Sequence, residues 1–228
     1  MGSFHIAVPF FPFRLQALQL FLFCAILGGC NLALCDPIHS AAEKGDLAKV
    51  KALLSQDPSL VSSKDKLGRT PLHLAAESDH KDVAEFLLTS GANINAKDSN
   101  GEFTPLDLAL SSYHYMDVVE LLIAKGADVN ATSKQGVTPL QEAAQRGQKD
   151  AAALLLAKGA EIDAADSKGN TPLLWSLMMG HMDMAKLLVD AKADVNASNS
   201  QGVTPLLFAK RRDDIKMADL LRQHGARD

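Results

Sequence analysis

The chain has 228 residues, 47% of them hydrophobic but only 5% aromatic, with a formal charge of −4 and a pI near 6.0. Ala and Leu dominate the second half, a mixture that suits closely packed helices better than a β-sandwich, which draws on Val, Ile, Thr and aromatic residues. The signs of charge are interspersed, and the one basic run, Lys210-Arg211-Arg212, is followed at once by Asp213 and Asp214. A nucleic-acid binder carries a basic stripe that neutralises phosphates, so nucleic acid is not an expected partner.

Residues 1–35 differ in kind from the rest: they hold no Asp, Glu or Lys, one Arg, and a dense run of Phe and Leu. Arg14 precedes an apolar stretch over 15–27, interrupted by Gln16 and Gln19 and followed by Gly28 and Gly29. A positive n-region, an apolar core of about 7–15 residues and small residues before a cut describe a secretory signal. Leu27-Gly28-Gly29-Cys30 also resembles the lipobox of bacterial lipoproteins, which implies acylation at Cys30. A cut after Ala33-Leu34-Cys35 is the plain secretory alternative. A permanent span wants roughly 20 apolar residues, which this stretch reaches only by including Gln16, Gln19 and Asn31. Cleaved signal, lipoprotein signal and uncleaved anchor therefore all stay open, and each implies export or a membrane tether, through a lipidated Cys30 or the leader itself. Pro9 and Pro12 argue against a buried first helix. All three cysteines, Cys24, Cys30 and Cys35, fall in this segment, so the remainder can form neither an internal disulfide nor a thiolate metal site.

From residue 36 onward the chain repeats. Thr-Pro-Leu occurs at Thr70, Thr104, Thr138, Thr171 and Thr204, at intervals of 34, 34, 33 and 33 residues. A second marker follows about twenty residues later in phase: Gly91-Ala92-Asn93-Ile94-Asn95, Gly126-Ala127-Asp128-Val129-Asn130, Gly159-Ala160-Glu161-Ile162-Asp163 and the variant Lys192-Ala193-Asp194-Val195-Asn196. The first copy, Thr70-Pro71-Leu72-His73-Leu74-Ala75-Ala76, resembles the ankyrin-repeat signature without a mismatch, and the resemblance covers residues 36–228.

Each marker has a physical reading. Thr70 supplies an N-cap, and Pro71 at the first helical position loses no bond. Leu72, Ala75 and Ala76 face the neighbouring repeat, while Val83, Phe86, Leu87 and Leu88 form the apolar stripe of the second helix. Gly91, Gly126 and Gly159 are expected to end that helix in the left-handed conformation. Asp65-Lys66-Leu67-Gly68, Asp98-Ser99-Asn100-Gly101 and Asp166-Ser167-Lys168-Gly169 are turn formers for projecting fingers. The fold expected is an all-α ankyrin-repeat solenoid of about six helix-turn-helix units with β-turn finger loops, at about 36–67, 68–101, 102–135, 136–168, 169–201 and 202–228. Lys192 stands where glycine is expected. The third unit carries one extra residue at Glu102-Phe103 and another in its inter-helix turn, Ser111-Ser112-Tyr113-His114-Tyr115, which holds both tyrosines of the chain.

No phosphate-cradling, zinc-protease, nucleophile-elbow or dinucleotide motif occurs, so no enzyme activity and no cofactor are expected. His73 is expected to bond locally near Thr70. His80 and His181 recur a repeat apart, about 10 Å by helix-packing distances and too far to share one zinc ion. Asn130-Ala131-Thr132 and Asn196-Ala197-Ser198 match the glycosylation pattern, but both asparagines fall on the repeat's own marker. The resemblance implies a protein partner meeting the finger tips and the exposed side of the first helices along a concave face. In this chain those positions are Lys66, Arg69, Glu77 and Ser78, then Ser99, Phe103, Ser111 and Ser112, with Tyr113 and Tyr115. Val137, Gln145 and Arg146 follow, then Asn170, Met178 and Met179, and last Val203, Arg211 and Arg212. Trp175, in the position of Leu74, is expected to be partly buried. A monomeric binding module is the expected function, and an accessory or inhibitory subunit of a separate enzyme, or a membrane-anchored intracellular scaffold, are the alternatives.

Overall fold

The computed structural model describes residues 32–112 and 116–227, with side chains from Pro37 onward. Cys30 with most of the leader, and Tyr113, His114 and Tyr115, lie outside the described residues.

Twelve α-helices fall in six antiparallel pairs among the described residues: α1 (Leu32–Glu43) with α2 (Leu47–Gln56), α3 (Pro71–Glu77) with α4 (Lys81–Thr89), α5 (Pro105–Leu110) with α6 (Asp117–Ala124), α7 (Pro139–Arg146) with α8 (Lys149–Ala157), α9 (Pro172–Met179) with α10 (Met182–Asp190), and α11 (Pro205–Arg211) with α12 (Ile215–Gln223). The odd-numbered helices stack on one another as an inner layer, and the even-numbered ones form an outer layer. In the first unit Asp57 ends α2 and a short 3-10 turn, Pro58–Ser62, follows it.

Small residues let the inner layer close up. Ala75, Ala76, Ala109, Ala143 and Ala144 are buried, with Leu72, Leu106, Leu140, Leu173 and Leu206 filling the same register in successive repeats. Every inner helix from α3 onward starts with Thr in extended backbone followed by Pro. In α5, α7, α9 and α11 the Thr hydroxyl accepts from the N–H three residues on, satisfying one of the donors a helix start leaves open. Gly91, Gly126 and Gly159 have φ of +94°, +89° and +88°. Lys192 takes the same left-handed conformation, with φ +73°, and its N–H bonds to the Val189 carbonyl as that of Gly91 bonds to Leu88.

Two ladders tie each repeat to the next. Finger to finger, Ser99 N–H bonds to Leu67 O, Lys134 to Gly101, Ser167 to Gln135 and Ser200 to Lys168, at 2.8–2.9 Å. Behind the outer helices, Asn95, Asn130, Asp163 and Asn196 accept through their side chains from the N–H groups of Asp128, Glu161, Asp194 and Arg227. Asn130 and Asn196 also donate to the carbonyls of Gly159 and Gly225. The amides in the glycosylation pattern are thus spent on the stacking of repeats.

Candidate functional site

Each finger is closed by a side chain at its base. The Asp65 carboxylate accepts from the N–H groups of Leu67 and Arg69 and from the Arg69 guanidinium. Burial alone would raise its pKa, but those bonds and the guanidinium charge hold it below the usual carboxylate range. Asp98, Ser133, Asp166 and Asn199 do the corresponding work in the next four fingers. The extra residue of the third unit is absorbed inside its finger. Asp98 N–H meets Phe103 O at 3.0 Å just as Asp65 N–H meets Arg69 O, and Glu102 takes the left-handed conformation, φ +59°, that Gly68 takes in the shorter finger. Phe103 therefore stands in the position of Arg69, its ring over Gly101, where a Cβ would collide with it.

Of the positions expected to meet a partner, Lys66, Ser99, Met179, Arg211 and Arg212 are exposed, and Ser78, Phe103, Ser111, Ser112, Val137, Gln145 and Met178 are half-buried. Arg69 is pinned between Asp65 at 2.9 Å and Glu77 at 3.1 Å, and Arg146 lies 2.7 Å from Glu142. Ser112 donates to the Glu77 carbonyl, and its own carbonyl accepts from Gln148. Two positions are corrected: Asn170 is 3% exposed and Val203 8%, both closed in at the base of their fingers, where Asp166 and Asn199 accept from their N–H groups. Asn170 there donates to Asp166 Oδ2 and accepts from Asn199. Trp175 is half-buried, as expected, and its Nε1–H donates to Asp166 Oδ2 at 3.1 Å. Arg212 lies over the Phe208 ring at 5.6 Å. Met179, 48% exposed, is the large apolar side chain that stands most open on the described inner helices.

The histidines act as struts. His80 and His181 bond through Nε2 to the carbonyls of Glu43 and Gln145 in the preceding repeat. His73 Nδ1 accepts from the Thr70 N–H at 3.0 Å, as expected, which leaves Nε2 to donate to Phe103 O of the next finger at 3.0 Å. Burial lowers the His73 pKa, against the opposing pull of the Phe103 carbonyl bond and the nearby Asp98 charge.

Sequence reasoning passed over Asp107, which occupies the His73 position one repeat later. It is 6% exposed, and burial pushes its carboxyl up to about 6 although the Thr104 N–H and hydroxyl both donate to Oδ2 at 2.8 Å. Beside it a cavity of about 160 Å³ opens between the third and fourth repeats, lined by Phe103, Asp107, Leu108, Ser111, Ser133, Val137, Glu142 and Arg146. Four of those residues, Phe103, Ser111, Val137 and Arg146, were expected contact positions. The signal that marks the place is the departure itself, Asp where the signature has His.

The family model described as ankyrin repeats (3 copies) matches residues 4–98, 98–166 and 140–228. The first match runs into the apolar leader. An ankyrin repeat domain from Acinetobacter baumannii AYE is 31% identical, with a TM-score of 0.76 over 84% of this chain and 98% of that one. Oxysterol-binding protein-related protein 1 of Rattus norvegicus is 49% identical over 70 residues, 30% of this chain and 7% of that protein. The probable 26S proteasome regulatory subunit p28 of Saccharomyces cerevisiae is 35% identical over 77 residues, 33% of this chain and 34% of that protein. The chain spans 7% of the first of these two relatives and about a third of the second. With the family model matched over most of the chain, beside the repeat signature and the paired helices, the chain belongs to the ankyrin-repeat family.

Proposed function

We propose that the chain is a non-catalytic protein-binding module, monomeric, whose inner-helix side and finger tips form a concave face for a protein partner. One observation carries this reading. Trp175, Met178, Met179, Phe208 and Arg211 line up on α9 and α11 half-buried or exposed, in a molecule whose other large apolar groups are mostly packed between repeats. Soft and aromatic side chains beside a basic end suit adaptable contact with a protein surface. Affinity capture from the native host, with the chain and its Met178→Ala, Met179→Ala, Arg211→Ala, Arg212→Ala quadruple variant side by side, tests it. The reading expects one partner retained by the chain and released at least tenfold more readily by the variant. A folded variant that keeps the partner unchanged removes this face from the function.

The apolar leader supports export, with attachment through an acylated Cys30, plain secretion and a retained anchor as its three forms. Among the described residues no helix is long and apolar enough to cross a membrane. The intact mass of membrane and soluble fractions separates the three. A species beginning at Cys30 with added lipid mass, one beginning near Asp36, and the full-length chain are the respective outcomes. The likeness to a regulatory subunit of the proteasome favours, as a second reading, an accessory subunit of a separate enzyme. Stable copurification with a single enzyme would select it.

A further inference from the structure

The position after Thr-Pro-Leu ties each of the first four repeats to the next, with one exception. His39 Nε2 bonds to Arg69 O at 3.0 Å, His73 Nε2 to Phe103 O at 3.0 Å, and Gln141 Nε2 to Asn170 O at 2.7 Å. Each of these carbonyls belongs to the residue just before the next repeat's Thr. Asp107 holds that position in the third repeat and should reach the Val137 carbonyl. It is shorter than His or Gln, and an ionised carboxylate has no hydrogen to donate. Both of its bonds from Thr104 end on Oδ2, and among the described residues no donor meets Oδ1. The missing tie leaves the cavity of about 160 Å³ next to Asp107.

The cavity's chemistry is mixed in a specific way. Phe103, Leu108 and Val137 give it apolar walls, and Asp107, Glu142 and Arg146 its charges. Arg146 is already paired with Glu142 at 2.7 Å, so the lining carries one negative charge in excess. A mostly buried carboxylate whose one unpartnered oxygen can still be reached is stabilised by a cation brought to it. About 150 Å³ suffices for a benzene molecule, so this space takes the end of one long side chain.

We propose that the cavity between the third and fourth repeats is a subsite for a basic side chain of the partner protein, its cationic head on Asp107 Oδ1 and its aliphatic stem between Phe103, Leu108 and Val137. The proposal rests on the partner-binding reading of the inner face and gives it a chemical preference: the bound segment carries a Lys or Arg at this point.

The test needs no partner, so it can fail while the interaction reading stands. The full chain, carrying ¹³C-carboxyl aspartate, is titrated with n-butylammonium chloride at pH 7.5, with potassium chloride and n-butanol as controls for ionic strength and for apolar filling. The Asp107 carboxyl signal should shift saturably with a Kd on the order of 1–10 mM, the range open to a five-heavy-atom ligand. Butanol should bind at least tenfold more weakly. In variants that lack this carboxyl, binding is followed through the backbone amide signals of Phe103 and Val137 on the cavity wall. Asp107→Asn, which keeps the size and removes the charge, should lose at least tenfold. Asp107→Gln copies the Gln141 arrangement, should melt no lower than the parent chain, and should abolish binding by filling the space. A shift no larger than that given by potassium chloride, equal affinity for butanol, or unchanged binding in folded Asp107→Gln would each overturn the proposal.

Discussion

Lys192 shows how a single residue can be read from its neighbours in the repeat. Its φ of +73° is the one Gly91, Gly126 and Gly159 adopt, and a residue with a Cβ is held there at a cost. Lys192→Gly should therefore raise stability by a few tenths to about 1 kcal/mol, measured as a higher midpoint in urea with unchanged slope. Asp107 predicts a pH dependence of definite sign. Its folded pKa, about 6, lies above the ordinary value of 3.8, so the folded chain holds the proton more tightly than the unfolded one. The stability it contributes is complete below 3.8 and is lost as pH rises through 6, up to about 3 kcal/mol. Asp107→Asn should accordingly gain on the parent chain between pH 4 and pH 7 in chemical melts. His73 works in the other direction. Its pKa is lowered by burial, so its contribution is present above its ordinary value of 6.5 and is lost as pH falls through the folded value. His73→Gln, which Gln141 shows can make both bonds, should melt with less acid sensitivity below pH 6.5.

At the scale of the element, the fingers and helix starts are locally written. Thr-Pro at the start of an inner helix, Gly at the end of an outer one and Asp at the base of a finger each act within five residues, which is why the pattern was legible in the chain. The extra residue of the third finger was legible as an insertion but not in its consequence. Only the tertiary structure shows that the finger keeps both its ends, moves the left-handed turn onto Glu102 and brings Phe103 to the cavity wall. Trp175 was expected in the inner layer, while its tie to Asp166 crosses from helix to finger and has no sequence signal. Trp175→Phe should cost about 1 kcal/mol by leaving Asp166 Oδ2 with one donor fewer, read in a urea melt followed by circular dichroism.

The molecule as a whole is a stack in which each repeat touches its neighbours, so its stability is a sum over repeats and interfaces. Ala143, fully buried in α7, marks how closely the inner layer is packed. Ala143→Leu should cost about 1–3 kcal/mol through overpacking. Amide exchange should quicken more in the third to fifth repeats than in the first, since the disturbance passes only through adjoining interfaces.

The sequence by itself determined the repeat, its phase, its paired helices and the place of Lys192 at a glycine position, because each rests on short-range rules that recur along the chain. The tertiary structure decided which of the expected contact positions are free. Asn170 and Val203 are buried, Arg69 and Arg146 are tied to carboxylates, and Asp107, which stands where the signature has His, leaves one oxygen open beside a cavity. The reason is one of range: a bond from one repeat to the finger of the next spans about thirty residues, and no pattern within a single repeat says whether the donor at its near end is present.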